Sequence, residues 1–184
     1  MVLSIIVALV VVLYFLYATL IHKKNKVHEA AAGIDVQLNK RYDAIPNLLT
    51  IAAKFMEHER GLMEQITALR AHAMASSFID KPEETIKLQN ELTAKLHEFN
   101  VSVENYPDLK SNQAIIDAME AVRENEENIA AARRFYNSAV NTLNNAVEIF
   151  PSSLIARLLK IEKAVFFEAP EAVKRSINAG DYFK

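Results

Sequence analysis

The chain has no cysteine and few of the residues that form tight turns. Its 184 residues include three glycines and five prolines. Because β-hairpins depend on glycine-containing and proline-containing turns, a β-rich fold would lack its connections here. Three glycines so far apart in the sequence also exclude a glycine-rich phosphate loop. Without cysteine, the chain also has neither a thiol nucleophile nor a lipoprotein anchor attached through one.

One long hydrophobic run lies at the N-terminus, where no charged side chain occurs between Met1 and Ile21. Residues 2–21 would form a helix of roughly 30 Å, which matches the hydrocarbon core of a bilayer. Nothing basic precedes the run and no Ala-x-Ala motif closes it, so the pattern favours a transmembrane helix over a cleaved signal peptide. It also favours that helix over a buried core helix. Residues 1–22 are therefore predicted to span the membrane.

The charges that follow the run predict its orientation. Lys23, Lys24 and Lys26 come directly after it. The positive-inside rule then places the N-terminus outside the cell and the rest of the chain in the cytosol. The chain after residue 26 contains 18 of the 21 basic residues and all 23 acidic ones, so its net charge is −5. An acidic body argues against a nucleic-acid partner, so the lipid bilayer is the first partner predicted.

Apolar residues after Ile34 recur at helical spacing, which predicts an all-α fold. The apolar stripe keeps its phase across Pro46, so we expect one kinked helix over residues 26–78. Three further helices are predicted over about 83–104, 108–150 and 154–168. Together they predict an up-down four-helix bundle with long first and third helices, spanning residues 23–170, followed by a C-terminal tail over residues 171–184.

The sequence offers no recognisable catalytic or metal-binding motif. Helical bundles build di-metal sites from Glu-x-x-His pairs, but none of the five histidines has a carboxylate three residues before it. The His-Glu pairs at His58 and His97 lack the second histidine of a zinc peptidase motif. We therefore expect no enzymatic activity, no cofactor and no bound metal.

Several charged residues fall in phase with the apolar stripes. They are Arg41, Glu59 and Arg70 on the predicted first helix, and Glu126 and Arg133 on the predicted third. We expect a structural polar network of these residues, with a Glu59–Arg133 pair because the first and third helices of such a bundle run parallel. The alternative is a site inside the bundle that holds a small anion.

A ladder of asparagines is the second unusual polar feature. Asn137, Asn141 and Asn144 recur at helical spacing, and Arg134 extends the row. Because asparagine is a mediocre helix former, a polar packing surface between protomers or against a partner is one interpretation. A solvated helix face is the other.

The same segments resemble the LemA family of bacterial membrane proteins. The matching stretches are Ile34-Asp35-Val36-Gln37-Leu38 with Arg41, Ile45-Pro46-Asn47-Leu48, His58-Glu59, Tyr106-Pro107-Asp108-Leu109-Lys110, Glu126 with Ala132-Arg133-Arg134-Phe135-Tyr136-Asn137 as far as Val140 and Asn144, Phe150-Pro151 and Phe166-Phe167-Glu168. The resemblance covers about residues 25–170. It implies a single-pass protein of the bacterial inner membrane with a LemA-like helical bundle. It implies no enzymatic activity, since none is established for the family.

These observations predict a membrane-anchored scaffold or interaction protein without catalysis. Its expected partners are further copies of itself, as a homo-oligomer, or other membrane proteins. A ligand-binding, membrane-tethered sensor is one alternative. A membrane-organising protein is another, because one branch of the family resembles magnetosome proteins. The family often ends in a Pro-Lys-Val-like, strand-forming tail. This chain has Pro170-Glu171-Ala172-Val173-Lys174 instead.

Overall fold

The computed structural model describes residues 1–167, and all regular secondary structure in that range is helical, which confirms the all-α prediction. The helices are α1 (Val2–Ala52), α2 (Arg60–Met74), α3 (Pro82–Val103), α4 (Pro107–Lys110), α5 (Gln113–Glu148) and α6 (Ser152–Leu158), with a 3₁₀ turn at Glu57–Glu59. The predicted tail over residues 171–184 lies outside the described residues.

The first part of α1 is unlike the rest of the chain, because it packs against almost nothing. Only 6% of its most apolar 18-residue window is buried, and the first α1 residue in the buried core is Leu20. The helix is long and apolar enough to cross a membrane, a property that it shares with N-terminal signal sequences. The helix continues without interruption through the predicted boundary at residue 22.

The prediction of one kinked helix over residues 26–78 is wrong. The first helix ends at Ala52, and the chain then reverses, so that α2 runs back along α1. Two contacts fix this direction: Tyr42 Oη donates to Ala73 O at 3.4 Å, and the Phe78 amide donates to Asp35 Oδ1 at 2.8 Å. The apolar residues kept their helical spacing through the reversal because α1 and α2 each place their apolar face against the same core.

The extra reversal changes the direction of the helices that follow. Helix α3 begins at Pro82, as the proline and the acids after it predicted. Helix α5 lies along α1 and runs antiparallel to it, since Glu126 is level with Arg41 while Leu143 is level with Leu20. The expectation that the two longest helices run parallel is therefore wrong.

The predicted fourth helix over residues 154–168 is also wrong in extent. Helix α6 covers only Ser152–Leu158, and residues 161–167 have no regular secondary structure. They lie along α5, where the side chains of Asn144 and Asn137 form hydrogen bonds with their backbone groups. One apolar core fills the space between the helices, and a smaller cluster of Leu20, Leu143, Ala146 and Ala156 lies at the end nearest the apolar run of α1.

Candidate functional site

Among residues 1–167, Arg41 is the one charged residue in the buried core, with 1% of its surface exposed. Its guanidinium donates from Nη1 to Gln89 Oε1 at 3.0 Å and from Nη2 to Thr93 Oγ1 at 2.9 Å, both on α3. The same Nη2 lies 2.8 Å from Glu126 Oε1 on α5. One side chain therefore connects α1, α3 and α5.

The charge of Arg41 is balanced by a carboxylate that still reaches solvent. Burial lowers the pKa of Arg41, and Glu126 opposes that shift. The Glu126 side chain is 35% exposed, whereas Arg41 is enclosed. Removing one partner of a buried ion pair typically costs about 3–5 kcal/mol, because the other charge is left uncompensated. The pair therefore links α1 to α5 at a buried position.

Tyr42, the next residue of α1, extends this set of contacts to α2. Its hydroxyl accepts a hydrogen bond from Gln89 Nε2 and donates to Ala73 O. Burial raises the pKa of Tyr42 to about 12, while the charge of Arg41 and the bond from Gln89 act in the opposite direction. Gln89 therefore joins the guanidinium to the phenol.

Arg70 contacts the main chain of α1, whereas the sequence predicted that it joins a network of charged side chains. Its Nε donates to the carbonyl oxygen of Tyr42 at 2.6 Å. That carbonyl would normally accept from the amide four residues later, but the residue there is Pro46, which has no N–H. The side chain of α2 thus supplies the hydrogen bond that proline removes from α1.

Arg133 lies near the Arg41–Glu126 pair without a direct salt bridge to it among the described residues. Burial lowers the pKa of Arg133, and Glu126 again opposes the shift. Its guanidinium carbon is 4.2 Å from the centre of the Phe167 ring, a cation–π contact. Phe167 also stacks on Phe78, with 5.3 Å between ring centres. Arg133 therefore packs on Phe167, which in turn packs on the core residue Phe78.

The predicted Glu59–Arg133 pair does not form. Arg133 lies seven residues, or about 10 Å, along α5 from Glu126, in the direction of Leu20. Glu59 lies beyond the other end of α1, in the 3₁₀ turn before α2. The antiparallel arrangement of α1 and α5 puts them on opposite sides of Arg41. The arginine that Glu126 meets is instead Arg41.

Two members of the asparagine ladder bind the chain's own backbone. Asn144 donates to Ala164 O at 3.0 Å and accepts from the Ala164 amide at 2.9 Å. Asn137 makes the same two contacts with Phe167, at 3.0 and 2.8 Å. We call this pair of contacts the asparagine clamp. Neither interpretation of the ladder, a surface for another protein or a solvated helix face, predicted these contacts within the chain at Asn137 and Asn144.

The remaining members of the ladder, Asn141 and Arg134, are exposed. Helical spacing could identify a polar row, but the partner lies 20–30 residues later in the chain. Sequence reasoning also missed Gln89 and Thr93. Their signal is weak, because a single glutamine or threonine on a helix is ordinary.

A groove lies between α3 and α5 at the end of the bundle farthest from the apolar run. Its volume is about 570 Å³. The apolar side chains along it are Leu96, Val103, Ile116, Met119 and Val122, and the charged side chains are Glu104, Lys110, Glu120, Arg123 and Glu126. The inner end is formed by Thr93 and Glu126, the residues that contact Arg41. Helices α3 and α5 therefore leave apolar surface uncovered.

Within residues 1–167, no three histidine, aspartate or glutamate side chains lie close enough together to hold a metal ion. The chemistry that this region offers is hydrogen bonding and charge at Arg41, together with apolar contact along the groove.

Comparison with known proteins gives the family. A sequence model of the LemA family matches residues 30–179. A curated relative, Protein LemA of Metamycoplasma hominis, is 20% identical over 174 residues, which cover 92% of this chain and 78% of that protein. The resemblance drawn from the sequence motifs is thereby confirmed.

Proposed function

We propose that this chain, which belongs to the LemA family, is a membrane-anchored interaction protein that self-associates and carries out no catalysis. The N-terminal part of α1 crosses a bacterial cell membrane once, with the N-terminus outside. Helices α1, α2, α3 and α5 then form an up-down four-helix bundle in the cytosol. The domain limits remain those predicted from the sequence: residues 1–22, 23–170 and 171–184.

The observation that supports interaction most directly is the groove between α3 and α5. Ile116 lies on its edge and is 45% exposed. Exposed apolar surface bordered by polar residues is typical of sites where proteins meet. The charges nearby are already paired within the chain, Lys110 with Glu104 and Arg123 with Glu120. The groove thus favours apolar contact over attraction to a strongly charged ligand.

A second copy of the same chain is the occupant that we propose first. Copies anchored by α1 in one membrane hold their grooves at the same height above it. Confinement to a membrane also raises the effective concentration of such copies for one another. A symmetric pair uses the same patch on both copies, so groove faces groove. A different membrane protein in the groove is the alternative form of the same interaction.

Site-directed crosslinking tests the proposal, and the absence of cysteine makes the background clean. We would introduce Ile116→Cys into the full-length chain, reconstitute it in vesicles and add a short thiol-specific crosslinker. The expected product is a covalent dimer. Val36→Cys is the matched control, because Val36 is also exposed and apolar but lies on α1 outside the groove. A dimer from both variants, or from neither, contradicts a specific groove contact.

A sensor of small anions is a second candidate function. Arg41 Nε has no hydrogen-bond partner among the described residues, and its neighbour Glu126 lines the inner end of the groove. An anion that displaced Glu126 would reach a buried guanidinium. A rise in the melting temperature with one anionic metabolite, lost in Arg41→Met, would support this candidate over the first.

A further inference from the structure

The end of α5 and helix α6 pack directly against the part of α1 where the apolar run ends. Leu20 is 1% exposed and packs with Leu143 and Ala146 of α5 and with Ala156 of α6. This small cluster is separate from the main core of the bundle. Residues 149–161, which we call the foot, therefore have a fixed position relative to the proposed membrane span.

The foot also extends beside the apolar run itself. A cavity of about 420 Å³ is lined by Val12, Leu16 and Leu20 of α1 and by Ile149 and Ser152 of the foot. Val12 lies eight residues before Leu20, which is about 12 Å along a helix. When residues 2–21 lie in the bilayer, the foot is therefore beside the upper part of the span and not above it.

The side chains that the foot presents to its surroundings are largely apolar. Ile149 is 60% exposed, Phe150 74%, Leu154 58% and Leu158 82%. They continue the exposed apolar surface of α1, where every residue from Met1 to Phe15 is exposed. A contiguous patch of this kind on a folded protein marks a contact with another apolar phase.

The charges of the foot have one sign. Residues 149–161 contain Arg157 and Lys160 and no acidic residue, although the chain as a whole has a net charge of −2. Lys160 and Lys24 of α1 line one further cavity, together with Glu162 and Lys163. Large apolar side chains with a few basic residues are the composition of segments that lie in the interface of an anionic membrane.

We propose that the foot is a second membrane contact, in which Ile149, Phe150, Leu154 and Leu158 enter the interfacial layer of the leaflet from which α1 emerges. Arg157 and Lys160 would then lie at the level of the lipid headgroups. This inference rests on the proposed function, because it requires that α1 spans the membrane. Its consequence is that the bundle is held at a fixed tilt and rotation, since two points of contact prevent it from turning about α1.

The chain contains no tryptophan, so a single tryptophan can report on each position. We would prepare three full-length variants, Phe15→Trp, Phe150→Trp and Phe55→Trp, in vesicles of phosphatidylcholine and phosphatidylglycerol. Each replaces an exposed phenylalanine, so none should disturb folding. Phe15 lies in the proposed span, Phe150 in the foot and Phe55 at the distal end of the bundle.

The readouts are quenching by lipids brominated near the headgroup or deep in the acyl chain, and quenching by aqueous iodide. We expect deep-lipid quenching at Phe15→Trp, shallow-lipid quenching with a blue-shifted emission at Phe150→Trp, and only iodide quenching at Phe55→Trp. Adding Arg157→Glu and Lys160→Glu to the Phe150→Trp variant should reduce its lipid quenching.

The failures can be told apart. If Phe15→Trp is not quenched by lipid, the membrane anchor itself is wrong and the proposed function fails with it. If Phe15→Trp is quenched but Phe150→Trp responds to iodide alone, the foot is not in the membrane. A blue-shifted Phe150→Trp that no lipid and no iodide can quench is covered by protein, and this result also overturns the inference.

Discussion

The Nε of Arg70 donates a hydrogen bond of 2.6 Å to the carbonyl oxygen of Tyr42, the acceptor that Pro46 leaves without its helical donor. A proline inside a helix removes one hydrogen bond and usually kinks or ends the helix. Here α1 continues to Ala52, and α2 supplies the missing donor. The hydrogen bond therefore joins α2 to α1 at the carbonyl that has lost its helical donor.

This relationship predicts coupling between Arg70 and Pro46. Arg70→Met should cost about 1–3 kcal/mol in the free energy of unfolding, since a partly buried carbonyl loses its donor. In a Pro46→Ala background the alanine N–H can occupy that carbonyl, so the same substitution should cost much less. A double-mutant cycle from urea unfolding of the full-length chain in detergent measures the difference. Equal costs in both backgrounds would disprove the compensation.

The pair of Arg41 and Glu126 predicts a large cost for the loss of either partner. Arg41→Ala should lower the free energy of unfolding by about 3–5 kcal/mol, because it leaves Gln89 and Thr93 without their shared donor and Glu126 without its ion-pair partner. Glu126→Gln should cost about as much, because it leaves the enclosed charge of Arg41 uncompensated.

Arg123→Ala is the matched control for the Arg41 substitution. Arg123 forms ion pairs with Glu120 and Glu127 but lies on the exposed surface, so its removal should leave unfolding unchanged. If Arg41→Ala were as well tolerated as Arg123→Ala, the buried guanidinium would not hold the helices together.

The raised pKa of Tyr42 predicts a loss of stability in alkaline solution. Its pKa is about 12 in the folded chain against a usual value of 10.0, so between these values the unfolded chain releases the proton first. The stabilising contribution is therefore complete below about pH 10 and is lost as the pH rises toward 12, by roughly 3 kcal/mol. Urea unfolding at increasing pH should show a smaller decline in Tyr42→Phe. An identical decline in both proteins would contradict the assignment.

The asparagine clamp predicts local effects at two separate amides. In Asn144→Ala the amide of Ala164 should exchange with deuterium faster, while that of Phe167 stays protected by Asn137. Each lost hydrogen bond should cost about 0.5–1.5 kcal/mol. Asn141→Ala is the control, because Asn141 belongs to the same row but is exposed. Faster exchange in Asn141→Ala, or none in Asn144→Ala, would show that the clamp does not hold the segment.

The class of fold could be predicted from the sequence because its determinants are local. Helical spacing after Ile34 and the proline and acids at the start of α3 act within a few residues of one another, and both predictions are confirmed. The reversal after Ala52 could not be seen. No glycine or proline lies between Ala53 and Arg60, and the apolar residues of α2 continue the period of α1.

The polar contacts depended on that missed reversal. Arg41 and Glu126 were recognised as unusual, but their pairing requires α1 and α5 to run antiparallel. The asparagine row was likewise visible, whereas its partner is a backbone segment, and backbone amides carry no sequence signal. Side-chain identity predicted which residues were polar and in phase with the core, and the three-dimensional arrangement decided what each one contacts.

The central claim, that the chain acts by meeting another copy through its groove, is tested most directly by its native mass. We would determine the mass of the full-length chain in lipid nanodiscs, alongside Ile116→Arg and the control Val36→Arg. We predict a dimer for the unaltered chain and for Val36→Arg, and a monomer for Ile116→Arg, because a charge in the groove opposes apolar contact. A monomer for the unaltered chain, or a dimer that survives Ile116→Arg, would contradict the claim.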